Sequence, residues 1–401
     1  MQSSVKLLSS TALAVAAMVM AVPTAFADGH ASLEKRVKAL EKAGGGQTVT
    51  RSKKTMKLVV SGHINRLVQF VDNGTTSGFE HTTSIESRSR VRWVGTGKIN
   101  DDLTVGTYIE LGNRSSSSTG QNLNDNGDDN GSDSQNPLDE RHIDMTLTSK
   151  TLGKLWIGQG RTGSESTSEV DLSGTGLLSL NADEFLVAGG EVFQRGGANV
   201  VKANGDPLNL GSVQNNLDGH GRRDRIRYDT PKFAGFQVTT SHENADSWST
   251  ALRYGGSFGG VKVAAAIAYS DDSTRNGRET VNGSASILLP FGLSFTIAGG
   301  EQDDDRFNGV RDNAEMRYAK VGYKFKALEI GQTRLFASYG EFDDINAADE
   351  ESTTIAFGVI QILEPLGIEL QAGYANFSLE QPGVADPDDI DVVTLGARVK
   401  F

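Results

Sequence analysis

From Met56 onward, apolar and polar residues take turns along the chain with a period of two. In VKVAAAIAYS (261–270), Val261, Val263, Ala265, Ile267 and Tyr269 fall on one face, and Lys262, Ala264, Ala266, Ala268 and Ser270 on the other. DVVTLGARVKF puts Val393, Leu395, Ala397, Val399 and Phe401 on one face, against Thr394, Gly396, Arg398 and Lys400. GIELQAGY (367–374) repeats the pattern, with Ile368, Leu370, Ala372 and Tyr374 against Glu369, Gln371 and Gly373. Side chains alternate across a strand, so such segments have one face in an apolar medium and the other in water. The alternation predicts sixteen strands, the first eight near 56–71, 82–99, 103–113, 139–150, 154–161, 223–230, 235–243 and 247–255. The other eight fall near 260–271, 278–289, 292–301, 313–326, 331–341, 350–363, 366–378 and 389–401.

The connectors alternate as well. INDD, TLGK, PKFAG, GSFGG, PFG, KALEIG and EPLG are short, and long polar stretches such as DDSTRNG, EQDDDRFNG and QPGVADPDDI lie between them. Short turns at one rim and long loops at the other describe an up-and-down barrel in an outer membrane. A soluble sandwich places its loops without this order; a lectin-like or β-helical secreted protein is the competing reading. No run of 18 apolar residues follows residue 27, which excludes a membrane-spanning helix. A barrel strand escapes that test, because only every second residue meets lipid. Aromatic residues cluster near predicted strand ends, among them Phe70, Trp248, Tyr254, Tyr269, Phe291, Tyr323, Tyr339 and Tyr374, as interfacial girdles require.

Residues 1–27 stand apart from this rhythm. Lys6, the apolar run Leu7 to Ala21 and Ala25-Phe26-Ala27 read as a secretory signal peptide cleaved after Ala27. Residues 28–55 contain ASLEKRVKALEKAGGG, in which Leu33, Val37 and Leu40 form a heptad seam that Gly44-Gly45-Gly46 ends. This short periplasmic helix is either an amphipathic linker or a small coiled coil, and the second needs several copies held together. The 401 residues include 51 acidic, 39 basic and no cysteines, so an exported fold must rely on hydrogen bonds and packing without disulfides.

Strand parity also assigns the arginines. In SRVRW, Val91 and Trp93 take the lipid face, which turns Arg88, Arg90 and Arg92 to the lumen. In RDRIRYD, Ile226 and Tyr228 point out, so Arg223, Arg225 and Arg227 point in. An arginine facing lipid at midplane costs roughly 2–4 kcal/mol, which disfavours the reverse register. Lys262, Lys320, Lys324, Arg398 and Lys400 share the inward parity, whereas Arg66 falls outward between Ile64 and Val68. Strand five is ambiguous, since Trp156 and Ile157 cannot both point outward.

SRSRVRWVGTGKINDDLTVGTYIEL (87–111), LGKLWIGQGRT (152–162), RIRYDTPKFAGF (225–236) and the final Phe401 resemble the trimeric sixteen-stranded general porins of Gram-negative outer membranes. The resemblance runs from about residue 56 to 401. It implies an all-β, 16-stranded antiparallel transmembrane barrel, assembled as a homotrimer among outer-membrane lipid and lipopolysaccharide. The expected activity is passive diffusion of ions and small hydrophilic solutes, and Phe401 looks like the signal read by the barrel-assembly machinery. It further implies that the long stretch 163–222 folds inward and narrows the pore. Within it, VDLSGTGLLSLNADEFL (170–186) supplies Leu177, Leu178, Leu180, Phe185 and Leu186 for packing. Glu169, Asp171, Asp183 and Glu184 are its candidate pore acids. Arginines facing such acids set up a transverse field, unless Glu110 and other lumen acids neutralise them. The helical preface departs from the general pattern and resembles the coiled coil ahead of the barrel in DcaP-type and phosphate-selective porins. That leaves open a channel selective for anions, dicarboxylates or phosphate; a barrel serving as adhesin or structural anchor, with the long acidic loops doing the binding, is the alternative from another class.

Enzymatic chemistry finds no footing. The six histidines form no HExxH or metal-spaced cluster, and no cysteine or G-x-S-x-G offers a nucleophile. No resident cofactor is expected and no nucleic-acid partner. NDNGDDNGSD (124–133) and Asp303 to Asp305 are dense enough in carboxylates to hold Ca²⁺, or to bridge it to lipopolysaccharide phosphates. They lack a fixed ligand pattern, and solvated loop acids are the alternative.

Overall fold

The computed structural model describes residues 47–49, 56–123, 138–273, 277–305 and 309–401. The predicted signal peptide, the helical run at 31–46 and the acidic run at 124–133 lie outside the described residues. The barrel opens with β1 Met56–Asp72, then β2 in two pieces, Ser77–Thr83 and Arg90–Lys98, β3 Leu103–Asn113, β4 Leu138–Ser149 and β5 Gly153–Arg161. After a long inward loop come β6 Arg222–Asp229, β7 Phe236–Glu243, β8 Trp248–Phe258, β9 Val261–Asp272, β10 Arg278–Leu288 and β11 Leu293–Asp303. The last five are β12 Ala314–Leu328, β13 Gly331–Asp343, β14 Glu351–Leu363, β15 Ile368–Glu380 and β16 Ile390–Lys400. Each strand pairs antiparallel with the next, and β16 closes on β1 from His63–Lys400 to Asp72–Asp391. Closure leaves no open edge, which is what allows strands to cross a bilayer. No described helix is long and apolar enough to do so.

The predicted alternation holds on the outer surface, where Ile64, Ile226, Ile267, Ile297 and Ile355 are exposed at their outward positions. Aromatic pairs mark both ends of the wall. Phe236–Tyr254 and Tyr323–Phe325 lie toward the short turns, with ring centroids 4.7 and 5.3 Å apart, and Trp248–Tyr269 lies toward the long loops at 5.2 Å. The short turns are held locally. Asn100 Oδ1 accepts from the backbone of Asp102 and Leu103 at 2.9 and 2.7 Å, and Gly292 takes φ +99° where a side chain would strike the carbonyl of Lys324.

The second strand differs from expectation. The alternation predicts one strand over 82–99, but Ser84 to Ser89 leave the ladder and turn inward between its two pieces. The inner face of β1 satisfies the backbone this exposes. His63 Nε2 meets Arg88 O at 2.9 Å, Asn65 Nδ2 donates to Ser87 O at 3.0 Å, and Asn65 N donates to Ser89 Oγ at 2.8 Å. Buried peptide groups need such partners, so the break is built rather than frayed.

Residues 162–221 fill part of the barrel. Their apolar side chains, including Leu177, Leu178, Phe185, Phe193, Leu208 and Leu210, pack on Phe336, Ile360, Phe377, Leu379, Ile390 and Val392 of the wall. Phe193, Leu208, Leu210 and Phe377 are completely buried. A chain segment enters a barrel stably only if its polar backbone finds partners there, and internal turns and wall side chains supply them at many positions.

Candidate functional site: the lumen and its inward loop

The loop is tied down by short hydroxyl side chains on the inner face. Gly163 N donates to Ser241 Oγ at 2.7 Å, Ser164 N to Ser249 Oγ at 3.2 Å, Val170 N to Ser284 Oγ at 2.8 Å and Leu172 N to Ser286 Oγ at 2.9 Å. Longer donors take its carbonyls: Arg253 Nη2 reaches Glu165 O at 2.7 Å, Arg334 Nη1 reaches Gly174 O at 2.8 Å and Gln69 Nε2 reaches Val187 O at 2.8 Å. Asn181 and Ala182 both adopt left-handed backbone, with φ of 51° and 60°, a conformation that side chains resist. Asn181 Nδ2 holds that turn by donating to Val170 O at 2.9 Å.

The opposite sector carries the six arginines expected to face inward, and each meets a carboxylate. Arg88 donates to both oxygens of Asp139 at 2.7 Å, where Arg114 also docks at 2.8 Å. Arg90 and Arg92 both bind Glu110, which is 1 % exposed, and Arg141 joins them at 2.6 Å. Arg225 pairs with Asp144, beside His142, and Arg223 pairs with Asp272. Arg227 donates to Asp229 at 2.6 Å and to Thr162 O at 2.8 Å.

Sequence parity missed Arg141. The ladder between β3 and β4 slips between Glu110 and Leu111, leaving Arg141 as the extra residue. A bulge re-aims its side chain, so Arg141 and His142 are both buried on the inner side. Two further arginines without a predicted role, Arg161 and Arg222, both bind Glu165 of the loop at 2.8 Å. Five guanidinium groups thus share two carboxylates, Glu110 and Glu165, in one sector.

The four candidate acids separate. Asp171 turns to the wall, where Lys320 Nζ lies 3.1 Å away, and Ser173 also donates to it. Burial alone would raise its carboxyl, but Lys320 and Ser173 hold it below the usual range. Glu184 accepts from Tyr318 at 2.6 Å and Ser338 at 2.8 Å, fixing the loop to β12 and β13. Glu169 accepts from Asn216 Nδ2 at 3.3 Å. Asp183 is 6 % exposed, and burial, with Glu86 and Glu169 nearby, pushes its carboxyl well above the ordinary range. Asp218 moves the same way, through burial beside Glu169 and Glu165, although Ser166 and Ser168 donate to it. Glu86, on the inward break of β2, has both carboxylate oxygens buried without a hydrogen-bond partner. Glu165, Asp218 and Glu86 carry no motif; only their place beside the loop's turns brings them here.

The remaining inward bases and the two ambiguous positions resolve simply. Arg398 and Lys400 both bind Glu369, and Lys400 does so at 2.7 Å. Arg66 does lie on the outer face, where Nη1 donates to Thr83 Oγ1 at 2.6 Å. On β5, Ile157 points out, while Trp156 donates to Asp229 at 3.0 Å with Lys154 Nζ 3.5 Å over its ring. Of the acids at 303–305, Asp304 is engaged by Arg278 at 3.1 Å, and the described residues contain no group of acids or histidines arranged to hold a metal ion.

Residues 10–398 match the family model for Gram-negative porins. Among curated protein sequences, nothing matches. Several solved structures share the fold. An anion-selective porin from Comamonas acidovorans is 17 % identical over 86 % of this chain and 100 % of its own, with a TM-score of 0.54. The outer membrane channel DcaP of Acinetobacter baumannii is 14 % identical over 88 % of this chain and 99 % of its own, also at 0.54. OmpT, an outer membrane protein of Vibrio cholerae, is 13 % identical over 87 % and 99 %, again at 0.54. With the family match running through nearly the whole chain, on a closed sheet of sixteen antiparallel strands, this protein belongs to the Gram-negative porin family.

Proposed function

We propose that this outer-membrane channel, which passes small solutes by passive diffusion, favours anions at its constriction and performs no catalysis. The observation that carries the preference is the sector where Arg90, Arg92 and Arg141 share Glu110 while Arg161 and Arg222 share Glu165. Excess positive charge in a narrow aqueous passage raises the local concentration of anions. Arg88, Arg223, Arg225 and Arg227 extend the basic wall with nearly balanced partners. Of the four candidate loop acids, Glu169 is the one close to Arg161 and Arg222, and burial raises both its carboxyl and that of Asp183. Zero-current potentials across a salt gradient in planar bilayers test this. Anion preference that falls in Arg90→Ala/Arg92→Ala supports the reading, and cation preference in the unaltered protein removes it.

The chain further assembles as a homotrimer in this proposal. OmpT of Vibrio cholerae, similar in fold at 14 % identity, is described in a trimer form. Arg66 favours a protein neighbour over lipid, because a guanidinium facing hydrocarbon costs roughly 2–4 kcal/mol at midplane. Conductance rising in threes is the expected signature. Lipid and lipopolysaccharide cover the rest of the outer face, and Phe401, exposed after β16, is the residue offered to the barrel-assembly machinery. Diffusion needs no cofactor. Calcium at the loop acids of 124–133 and 303–305 would be a stabilising addition, read by thermal melts in calcium against chelator.

A further inference from the structure

At the rim of long loops, away from the constriction, three segments close around a cavity of about 530 Å³. One is the small hairpin of Gln194–Arg195 and Ala198–Asn199; the others precede β14 and follow β15. Its walls are largely apolar, built from Val200, Val201, Ala347, Pro382 and Val384. Two charged residues, Arg195 and Glu350, also line it. Gln381 joins them, accepting from Arg195 Nη2 at 2.7 Å and donating to Glu350 Oε2 at 3.1 Å.

Each of these charged groups keeps one atom unused. Arg195 Nε and Glu350 Oε1 are both buried with no hydrogen-bond partner, and Glu350 is only 3 % exposed. An unsatisfied buried donor or acceptor costs free energy that a suitable ligand atom would recover. The two unmet demands are opposite in kind: a donor needs an acceptor, and a carboxylate needs a donor. Burial also pushes the Glu350 carboxyl above its ordinary value, so a cationic partner would bring back its charged form. The terminal torsion of a glutamate is soft, so Oε1 can turn toward the cavity at the expense of the long bonds that Gln381 and Asn346 make to Oε2. A lone anion would answer Arg195 and crowd Glu350, and a lone cation would do the reverse.

We infer that this mouth pocket binds small zwitterions with an apolar body, that is, apolar amino acids or dipeptides, before they enter the channel. The carboxylate goes to Arg195, the ammonium to Glu350, and the apolar side chain lies against Val200, Val201 and Val384. The cavity falls within the range typical of small-molecule sites, which pair apolar walls with a few placed polar groups. The inference rests on the channel reading, because the pocket lies among the long loops that solutes entering a channel meet first.

The test is current recording from the full-length protein in planar bilayers, with glycyl-leucine added on the long-loop side. Saturable current blocks are expected. N-acetylation or C-terminal amidation of the dipeptide, each removing one charge, should weaken the block about tenfold per lost charge-assisted bond. Glu350→Gln should reduce the block by the dipeptide while reducing that by its N-acetyl form far less, since that form has no ammonium to lose. Capped and uncapped dipeptides acting alike, or a block that never saturates, would overturn the inference. The two levels separate cleanly. An absence of channel steps refutes the pore, whereas steps without saturable block refute only the pocket.

Discussion

Strands β2 to β6 and strands β7 to β15 present opposite kinds of inner surface. The first sector holds arginines, each answered by a carboxylate within the wall or on the loop's first turn. The second holds serines, threonines, the loop-binding cations Arg253, Lys320 and Arg334 and, farther round, buried Phe336, Phe342 and Phe377, all covered by the loop. The difference follows from what opposes each surface. Where the loop's apolar part does not reach the wall, long charged side chains pair sideways along it, most of them buried among their partners. Where a chain segment opposes it, short hydroxyls meet its backbone and apolar rings meet its side chains. The lumen is therefore lopsided in its chemistry, because the loop covers one half of the wall and the arginines pair with carboxylates along the other.

The largest test of that division removes the apolar half of the loop's attachment. Phe193→Ala should cost about 3–5 kcal/mol, since a fully buried ring leaves a cavity that the barrel cannot collapse. The ladder around the barrel is untouched, so the loss should appear as loop release: noisy, larger channel currents and cleavage within 162–221 by added protease. A quiet, protease-resistant variant would show that hydroxyl anchors alone hold the loop. On the other half, Glu110→Gln strands three arginines around one neutral amide. Breaking a buried charge network of this kind costs about 3 kcal/mol or more, seen as a lower melting temperature. The surviving channels should be more anion-selective, and a shift toward cations would contradict the charge balance drawn here.

Much of this was legible in advance, and the gaps have physical causes. Sixteen strands emerge from alternation because lipid enforces one apolar face on every strand, leaving a uniform signal. The inward direction of Arg90 and Arg225 follows from the same rule. Alternation cannot reveal where the ladder breaks, so it predicts strand through Ser84–Ser89 and carries no sign of the bulge that turns Arg141 inward. Phe336 and Phe377 sit at inward positions, where an apolar residue looks like an error until a loop is known to cover it. Charge partners were the least legible: Glu110 was a suspected neutraliser, but Glu165 and Asp218 owe their places to turns in the loop.

Smaller effects probe the hydroxyl anchors one at a time. Ser284→Ala and Ser286→Ala each remove one acceptor for a loop amide, at about 1 kcal/mol apiece. Their combination should add, and it should raise current noise without changing ion selectivity, since neither touches the basic sector. A selectivity change without added noise would mean these serines act on the permeating ions and not on the loop.

The gentlest probe is pH, because it acts on the loop side without a substitution. Asp183 is pushed well above the ordinary carboxylate range by burial, with Glu86, Glu169, Asp218 and Glu184 as neighbours of like charge. The folded loop therefore holds its proton at pH values where the released chain, near pKa 4, has lost it. Docking is strongest in acid and weakens as pH climbs from about 4 through the raised value, then levels off. Each proton lost also adds negative charge opposite the arginines. Anion preference should accordingly fade, and noise grow, as the solution becomes more alkaline. Asp183→Asn, which keeps the shape and removes the titration, should flatten part of both trends. If anion preference instead strengthened with rising pH, the acids governing the passage would have to be ones that gain no charge there, and the contrast between the two halves of the wall would rest on the arginines alone.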